Sequence, residues 1–209
     1  FHAIIGYSNL LKSNYHKISP DKINEYATLI HQTASETHEL LINLLEWSLA
    51  QTNSIEFEPQ KLSISEIVDE NINLLESQAK VKEIALEFNK KADVFVQADA
   101  NMLHTVLRNL ISNAIKFTKT GKVVVSFLKE SGKCIVNVED TGVGISEQNL
   151  INLFKIDKQV SSKGTAGERG TGLGLLLCKE FVEKNGGTLS VESKLNKGSR
   201  FSFSIPLAE

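Results

Sequence analysis

The sequence predicts an α+β protein: an N-terminal antiparallel helical hairpin, then a mixed α/β sandwich with its helices on one sheet face. Three observations carry this reading. Residues 1–52 hold one glycine, Gly6, and one proline, Pro20, and their apolar positions recur at helical spacing. Beyond about residue 55, helical patterns alternate with short β-branched runs bounded by turn residues. No apolar run in the 209 residues approaches the roughly 20 needed to cross a membrane. The two parts are read as residues 1–54 and 55–209.

In the first part, Ile4, Tyr7 and Leu11 mark one short helical face, broken by the polar run His16–Asp21. Ser19 before Pro20 is a helix start, a hydroxyl N-cap followed by proline at the first helical position. Ile23, Ala27, Ile30, Ala34, Thr37, Leu41, Leu44 and Ser48 then alternate spacings of 4 and 3, a heptad seam. A helix over 20–52 is about 50 Å long at 1.5 Å per residue. One αα-hairpin cannot cover such a seam alone, so a four-helix bundle formed as a dimer is expected. Residues 51–60 read as a polar linker with a short extended piece.

In the second part, a helix is predicted over 65–80, carried by Ile67, Val68, Ile72, Leu75 and Ala79. Short strands follow at 84–88 and 94–97. Asp99 is placed as the N-cap of a helix reaching Phe117. Residues 121–130 and 133–139 alternate β-branched and polar positions around Ser131-Gly132, a hairpin signal. A long Gly-, Ser- and Lys-containing stretch, 141–172, precedes an apolar helix over 173–184, stopped by Asn185-Gly186-Gly187. Strands over 188–194 and 199–207 complete the chain.

Charge and composition exclude several function classes. The formal net charge of −2 lacks the basic excess of a general nucleic-acid or lipid-headgroup binder. Cys134 and Cys178 are too few for a disulfide scaffold and read as small buried hydrophobes in a reducing compartment. The one methionine is Met102, so the chain, starting at Phe1, is expected to be a piece of a longer protein.

Three constellations carry chemistry. On the helix 99–117, Leu103, Leu107, Leu110, Ala114 and Phe117 share one face. Asn109, Asn113 and Lys116 share another, rotated by roughly 110°. An Asn amide oxygen suits Mg²⁺, which keeps several waters and shares phosphate oxygens. Lys116 meets phosphate as a point charge. The second constellation, Asp140-Thr141-Gly142-Val143-Gly144-Ile145, follows a strand directly. A carboxylate at a strand end accepts a hydrogen bond from an exocyclic amine, and glycines admit a flat ring. Adenine presents such an amine; guanine presents an oxygen there. The third, Gly170-Thr171-Gly172-Leu173-Gly174-Leu175, leads into a helix, so unpaired N–H groups and the positive helix end face a phosphate. Neither a P-loop nor a Gly-x-Gly-x-x-Gly spacing is present. An adenine acceptor, a Mg²⁺ amide and a phosphate cradle together imply ATP.

The order of these motifs resembles that of the sensor histidine kinases and their relatives, the ATPases of the Bergerat (GHKL) fold. Residues Asn109–Phe117 resemble the N box, Asp140–Gly144 the G1 box and Gly170–Leu175 the G2 box. Leu153-Phe154 is similar to an F box, although Ile156-Asp157 stands where a proline is usual. Gly198–Leu207 is similar to the terminal strand. The resemblance implies Asn113 on Mg²⁺ beside Asn109, Lys116 on the phosphates, and Asp140 on the adenine amine. It implies Gly142, Gly144 and Ile145 around the ring with Phe117 flanking it. Gly170, Thr171, Gly172, Leu173 and Gly174 then serve the phosphates, with Arg169 as a further contact, and residues of roughly 146–172 form an ATP lid.

It also implies the partners: a homodimer through the N-terminal helices, a response-regulator receiver domain, no nucleic acid, and a membrane only through segments outside this chain, in a cytoplasmic setting. Phe1-His2-Ala3-Ile4-Ile5-Gly6 matches the tail of the family's phosphoacceptor pattern, whose histidine falls six positions before Phe1. No catalytic residue is therefore expected within the chain, and the fragment is expected to bind ATP without phosphorylating itself. His2, His16, His31 and His38 read as ordinary helix or loop residues. Two other readings stay open at this point: a GHKL ATPase used mechanically, and a dimeric nucleotide-binding scaffold without kinase activity.

Overall fold

The computed structural model describes residues 1–51, 56–90, 92–155, 163–168 and 172–208. They fall into two units, Phe1–Glu46 and Trp47–Glu209. In the first unit, helix α1 (His2–Asn14) and a 3₁₀ turn (Tyr15–Lys17) lead into helix α2 (Pro20–Gln51). The Ile23 N–H closes the first turn of α2 on the Ser19 carbonyl at 3.0 Å. Ile4, Tyr7 and Leu11 are the half-buried face of α1, and Tyr7 stacks on Tyr26 with ring centroids 5.4 Å apart. Of the seam positions, Ile23, Ile30 and Thr37 are half-covered, while Ala27, Ala34, Leu41 and Leu44 stay exposed. The single chain leaves much of that seam unpacked.

The second unit holds the remaining elements: β1 (Gln60–Ser63), α3 (Ile64–Val81), β2 (Ile84–Asn89), β3 (Phe95–Ala98), α4 (Ala100–Phe117), β4 (Gly121–Glu130), β5 (Lys133–Asp140), α5 (Glu147–Leu150), α6 (Gly174–Lys184), β6 (Leu189–Lys194) and β7 (Gly198–Pro206). The main sheet runs β2-β4-β5-β7-β6, with β2 and β4 parallel and the other pairs antiparallel. β1 and β3 form a separate antiparallel pair. Strand alternation makes the sheet two-faced. Val123, Val125 and Phe127, then Cys134, Val136 and Val138, then Phe201, Phe203 and Ile205 are all buried in the core. Their neighbours Glu139 and Arg200 face outward and pair with each other at 2.8 Å. Helix α4 covers the buried face, packed between α3 and α6, with Leu103, Leu107, Leu110, Ile111 and Ala114 in the core.

Local chemistry fixes the elements. Ser63 caps α3 by accepting from the Glu66 N–H, and Asp99 caps α4 by accepting from the Met102 N–H at 3.1 Å. Asn185, just past α6, accepts from the Asp99 N–H at 2.8 Å and so joins the end of α6 to the start of α4. Ser131 and Gly132 both take positive φ (+49° and +77°), as the predicted two-residue hairpin requires. Two elements had no clear sequence signal, the short strand β1 and the single turn α5. Helix α6 starts one residue later than its periodicity suggests, with Leu173 as its cap residue.

Candidate functional site

The strand period places Asp140 on the helix-facing side of β5, in line with Cys134, Val136 and Val138, at the strand's C-terminal end. It is 6% exposed and cross-paired with Val123 and Ser199. Burial pushes its carboxyl above the ordinary aspartate value, while hydrogen bonds from the Gly142 N–H and from Ser199 pull the other way. The Gly142 N–H donates to Asp140 Oδ1 at 2.8 Å. The neighbouring Glu139 charge adds to the upward push. A buried carboxylate held by two backbone N–H groups and a serine hydroxyl keeps lone pairs that can accept a further hydrogen bond.

The loop after β5 lies against the end of α4. The Val143 N–H donates to the Phe117 carbonyl at 3.1 Å, and a Cβ at Gly142 would run into that same oxygen. Gly144 has φ +67°, and a side chain there would strike the Lys194 backbone carbonyl. Both glycines are thus required by close backbone approach. The Ile145 N–H donates to Ser193 Oγ at 2.8 Å, and the Asn196 N–H to the Val143 carbonyl at 2.7 Å, so the β6–β7 turn backs this loop.

On α4, Asn109, Asn113, Lys116 and Phe117 are half-buried. Lys116 Nζ lies 5.2 Å from the Phe117 ring centroid, a cation–π distance. The Asn109 side chain adjoins the start of α6: a Cβ on Gly174 would sit 3.2 Å from Asn109 Oδ1. Asn109 Nδ2 is buried with no hydrogen-bond partner among the described residues. A buried amide donor left open at a helix start suits a group that brings its own acceptors. Gly172 takes φ +73°, while Leu173 and Gly174 begin α6. Arg169, Gly170 and Thr171 lie outside the described residues. Among the described residues no group of three or more His, Cys, Asp or Glu is placed to hold a metal ion.

Among the described residues, those after β5 border the C-terminal end of α4, and Gly174 at the start of α6 borders Asn109. The structure also adds residues that spacing did not single out. Ser193 and Ser199 back the Asp140 loop, and Lys82, Thr165 and Glu168 cluster at the end of α4. Pairing of the last two strands could have pointed to Ser199. Nothing local in the sequence marks Lys82.

An α/β sandwich with amides, a buried carboxylate and close-packed glycines set along a single helix is the fold of an ATPase domain by its family match. Comparison with known proteins agrees. The family described as histidine kinase-, DNA gyrase B-, and HSP90-like ATPase matches residues 98–209, and the chain belongs to it, within the sensor histidine kinases. The circadian input-output histidine kinase CikA of Synechococcus elongatus is 33% identical over 209 residues, covering 98% of this chain and 28% of that protein. The histidine protein kinase DivJ of Caulobacter vibrioides is 31% identical over 207 residues, covering 98% of this chain and 34% of that protein. The solved structure of histidine kinase ThkA in complex with the response regulator TrrA superposes with a TM-score of 0.75 at 25% identity, covering 99% of this chain and 57% of that chain. The chain thus spans about a third or less of the curated relatives' length.

Proposed function

We propose that the chain is the catalytic ATP-binding region of a protein-histidine kinase. It binds Mg-ATP, donates the γ-phosphate to a histidine of the helical hairpin region, and the phosphate then passes to an aspartate of a response-regulator receiver domain. The observation that carries this reading is Asp140, buried at a strand end beside two close-packed glycines. Such a carboxylate costs the fold stability, and an adenine amine gives it a use.

Around it, Gly142, Gly144 and Ile145 admit the ring and Phe117 flanks it. Lys116, Arg169 and the run Gly170, Thr171, Gly172, Leu173 and Gly174 serve the phosphates. The open Asn109 amide and the neighbouring Asn113 on α4 fit a Mg²⁺-phosphate pair, with Asn113 supplying the oxygen ligand. When bound, Mg²⁺ spreads the negative charge of the phosphate oxygens. In the transfer an imidazole nitrogen attacks the γ-phosphorus in line, the bond to the bridging oxygen breaks, and ADP leaves with that oxygen.

Homodimerisation through α1 and α2 is supported by the exposed Leu40, Leu41, Ile42, Leu44 and Leu45. A receiver-domain partner is supported by the ThkA–TrrA complex. Among the described residues no helix is long and apolar enough to cross a membrane, and we place this region in the cytoplasm.

Two measurements test the reading. ATP titration of residues 1–209 gives Mg²⁺-dependent binding that Asn113→Ala removes. The longer natural protein, incubated with ATP, gains an acid-labile phosphate. Absence of ATP binding, or an acid-stable phosphate alone, overturns it.

A further inference from the structure

The turn formed by residues 164–168 is held on α4 by one lysine from another element. Lys82, just past the end of α3, places its ammonium 2.9 Å from the Ile115 carbonyl, 2.9 Å from the Lys116 carbonyl, 2.8 Å from Thr165 Oγ1 and 3.0 Å from Glu168 Oε1. Its side chain is only 15% exposed. Ile115 and Lys116 lie in the last turn of α4, whose carbonyls have no partner within the helix, and a cation there also meets the negative end of the helix dipole.

The turn is bound at its other groups too. The Thr165 N–H donates to the Lys116 carbonyl at 3.0 Å, and the Thr165 hydroxyl lies 2.9 Å from the Thr118 carbonyl. The Ala166 N–H donates to Glu168 Oε2 at 2.8 Å, and the Gly164 N–H to the Glu168 carbonyl at 2.7 Å. A Cβ at Gly164 would sit 2.6 Å from Lys116 Cγ, so the turn passes close over the same lysine proposed to meet phosphate.

We infer that Lys82 and Glu168 are positioning residues for the nucleotide's phosphates: together they hold the turn 164–168 on the helix that carries Asn113 and Lys116. The inference rests on the reading of this site as an ATP site. The pair acts through the turn and through Lys116, so its effect falls on the phosphate end of the ligand and spares the adenine end at Asp140. Glu168 stands four positions before Gly172 and six before Gly174, and Lys82 is tied to the backbone of Lys116 itself. Freeing the turn therefore loosens Lys116, over which it passes, while the β5 loop keeps its own contacts to Phe117 and Lys194.

The test compares ATP with adenosine on residues 1–209 carrying Glu168→Gln, Lys82→Met or both, with Asp140→Asn as the reference for the adenine end. Glu168→Gln keeps the size of a side chain that is 34% exposed, so it folds even where Lys82→Met does not. The expected result is ATP binding weakened about tenfold or more, the loss of about one charge-assisted hydrogen bond. Adenosine affinity stays within twofold, and the double variant binds ATP no worse than the weaker single one. ATP and adenosine falling together, or neither moving, overturns the inference and leaves the pair a purely structural contact. Failure of the ATP-site reading looks different: Asp140→Asn then leaves both ligands bound as in the wild type.

Discussion

Replacing Asp140 by asparagine separates what the site does from what the fold prefers. The substitution keeps the shape, and the asparagine oxygen keeps the Gly142 N–H now donated at 2.8 Å. Its other arm changes from acceptor to donor and meets the donor amine of adenine. Losing a hydrogen bond to a charged group costs about 1.5–3 kcal/mol. At about 1.4 kcal/mol per factor of ten, ATP binding weakens by about 10- to 100-fold. The effect on the empty fold has the opposite sign. Burial raises the Asp140 carboxyl above its unfolded value, so between the two values the native state holds the extra proton. Stability therefore falls as pH rises through that window and stays reduced at neutral pH. Asparagine carries no such cost, and the Ser199 hydroxyl can turn to accept from the new amide. Calorimetric titration with ATP and thermal melting at neutral pH check both halves: weaker binding, with a Tm no lower than the wild type's. ATP affinity within twofold of wild type, or a variant that melts well below it, would refute the assignment of Asp140 as a ligand acceptor with a stability cost.

Other outcomes follow from the same geometry. Acidification through the raised Asp140 value protonates the acceptor, so ATP affinity drops at a pH above the ordinary aspartate range, and the Asp140→Asn profile lacks that step. Gly144→Ala forces a left-handed residue against the Lys194 carbonyl; at about 1–2 kcal/mol for the conformation alone, Tm falls by roughly 2–8 °C. Gly174→Ala contrasts with it. Helix propensity gains up to about 1 kcal/mol and the new Cβ presses only on the Asn109 amide, so Tm stays close to wild type while ATP binding weakens. Burial pushes the Cys134 thiol up to about 12, and Cys178 is equally enclosed, so a thiol reagent at mildly alkaline pH counts no thiols in the native chain and two after denaturation.

Much of this was legible in the sequence because it is local. The Asp99 cap, the Ser131-Gly132 hairpin and the Asn109–Asn113–Lys116 spacing depend on residues a few positions apart, where helix and strand periods speak directly. The burial of Asp140 was partly legible, since it continues the alternation of Val136 and Val138. What escaped was long-range. Strand β1 has four residues and acquires its partner β3 only through the fold. Lys82 reads as one more surface lysine until the parallel pairing of β2 with β4 brings the end of α3 to the end of α4. The single-turn helix α5 is too short for any periodicity to register.

The pairing of β5 with β7 sets an order on synthesis. On the growing chain β4 and β5 are neighbours from the start, but Asp140 lacks its Ser199 partner until that residue is made, about 60 residues later. At typical elongation of about 5–20 residues per second, that interval is roughly 3–12 s. During it the nascent hairpin exposes the apolar edge that Phe201 and Phe203 will cover. Asp140 is thus among the last side chains to gain its full set of partners, and a chaperone has its longest opportunity at this edge.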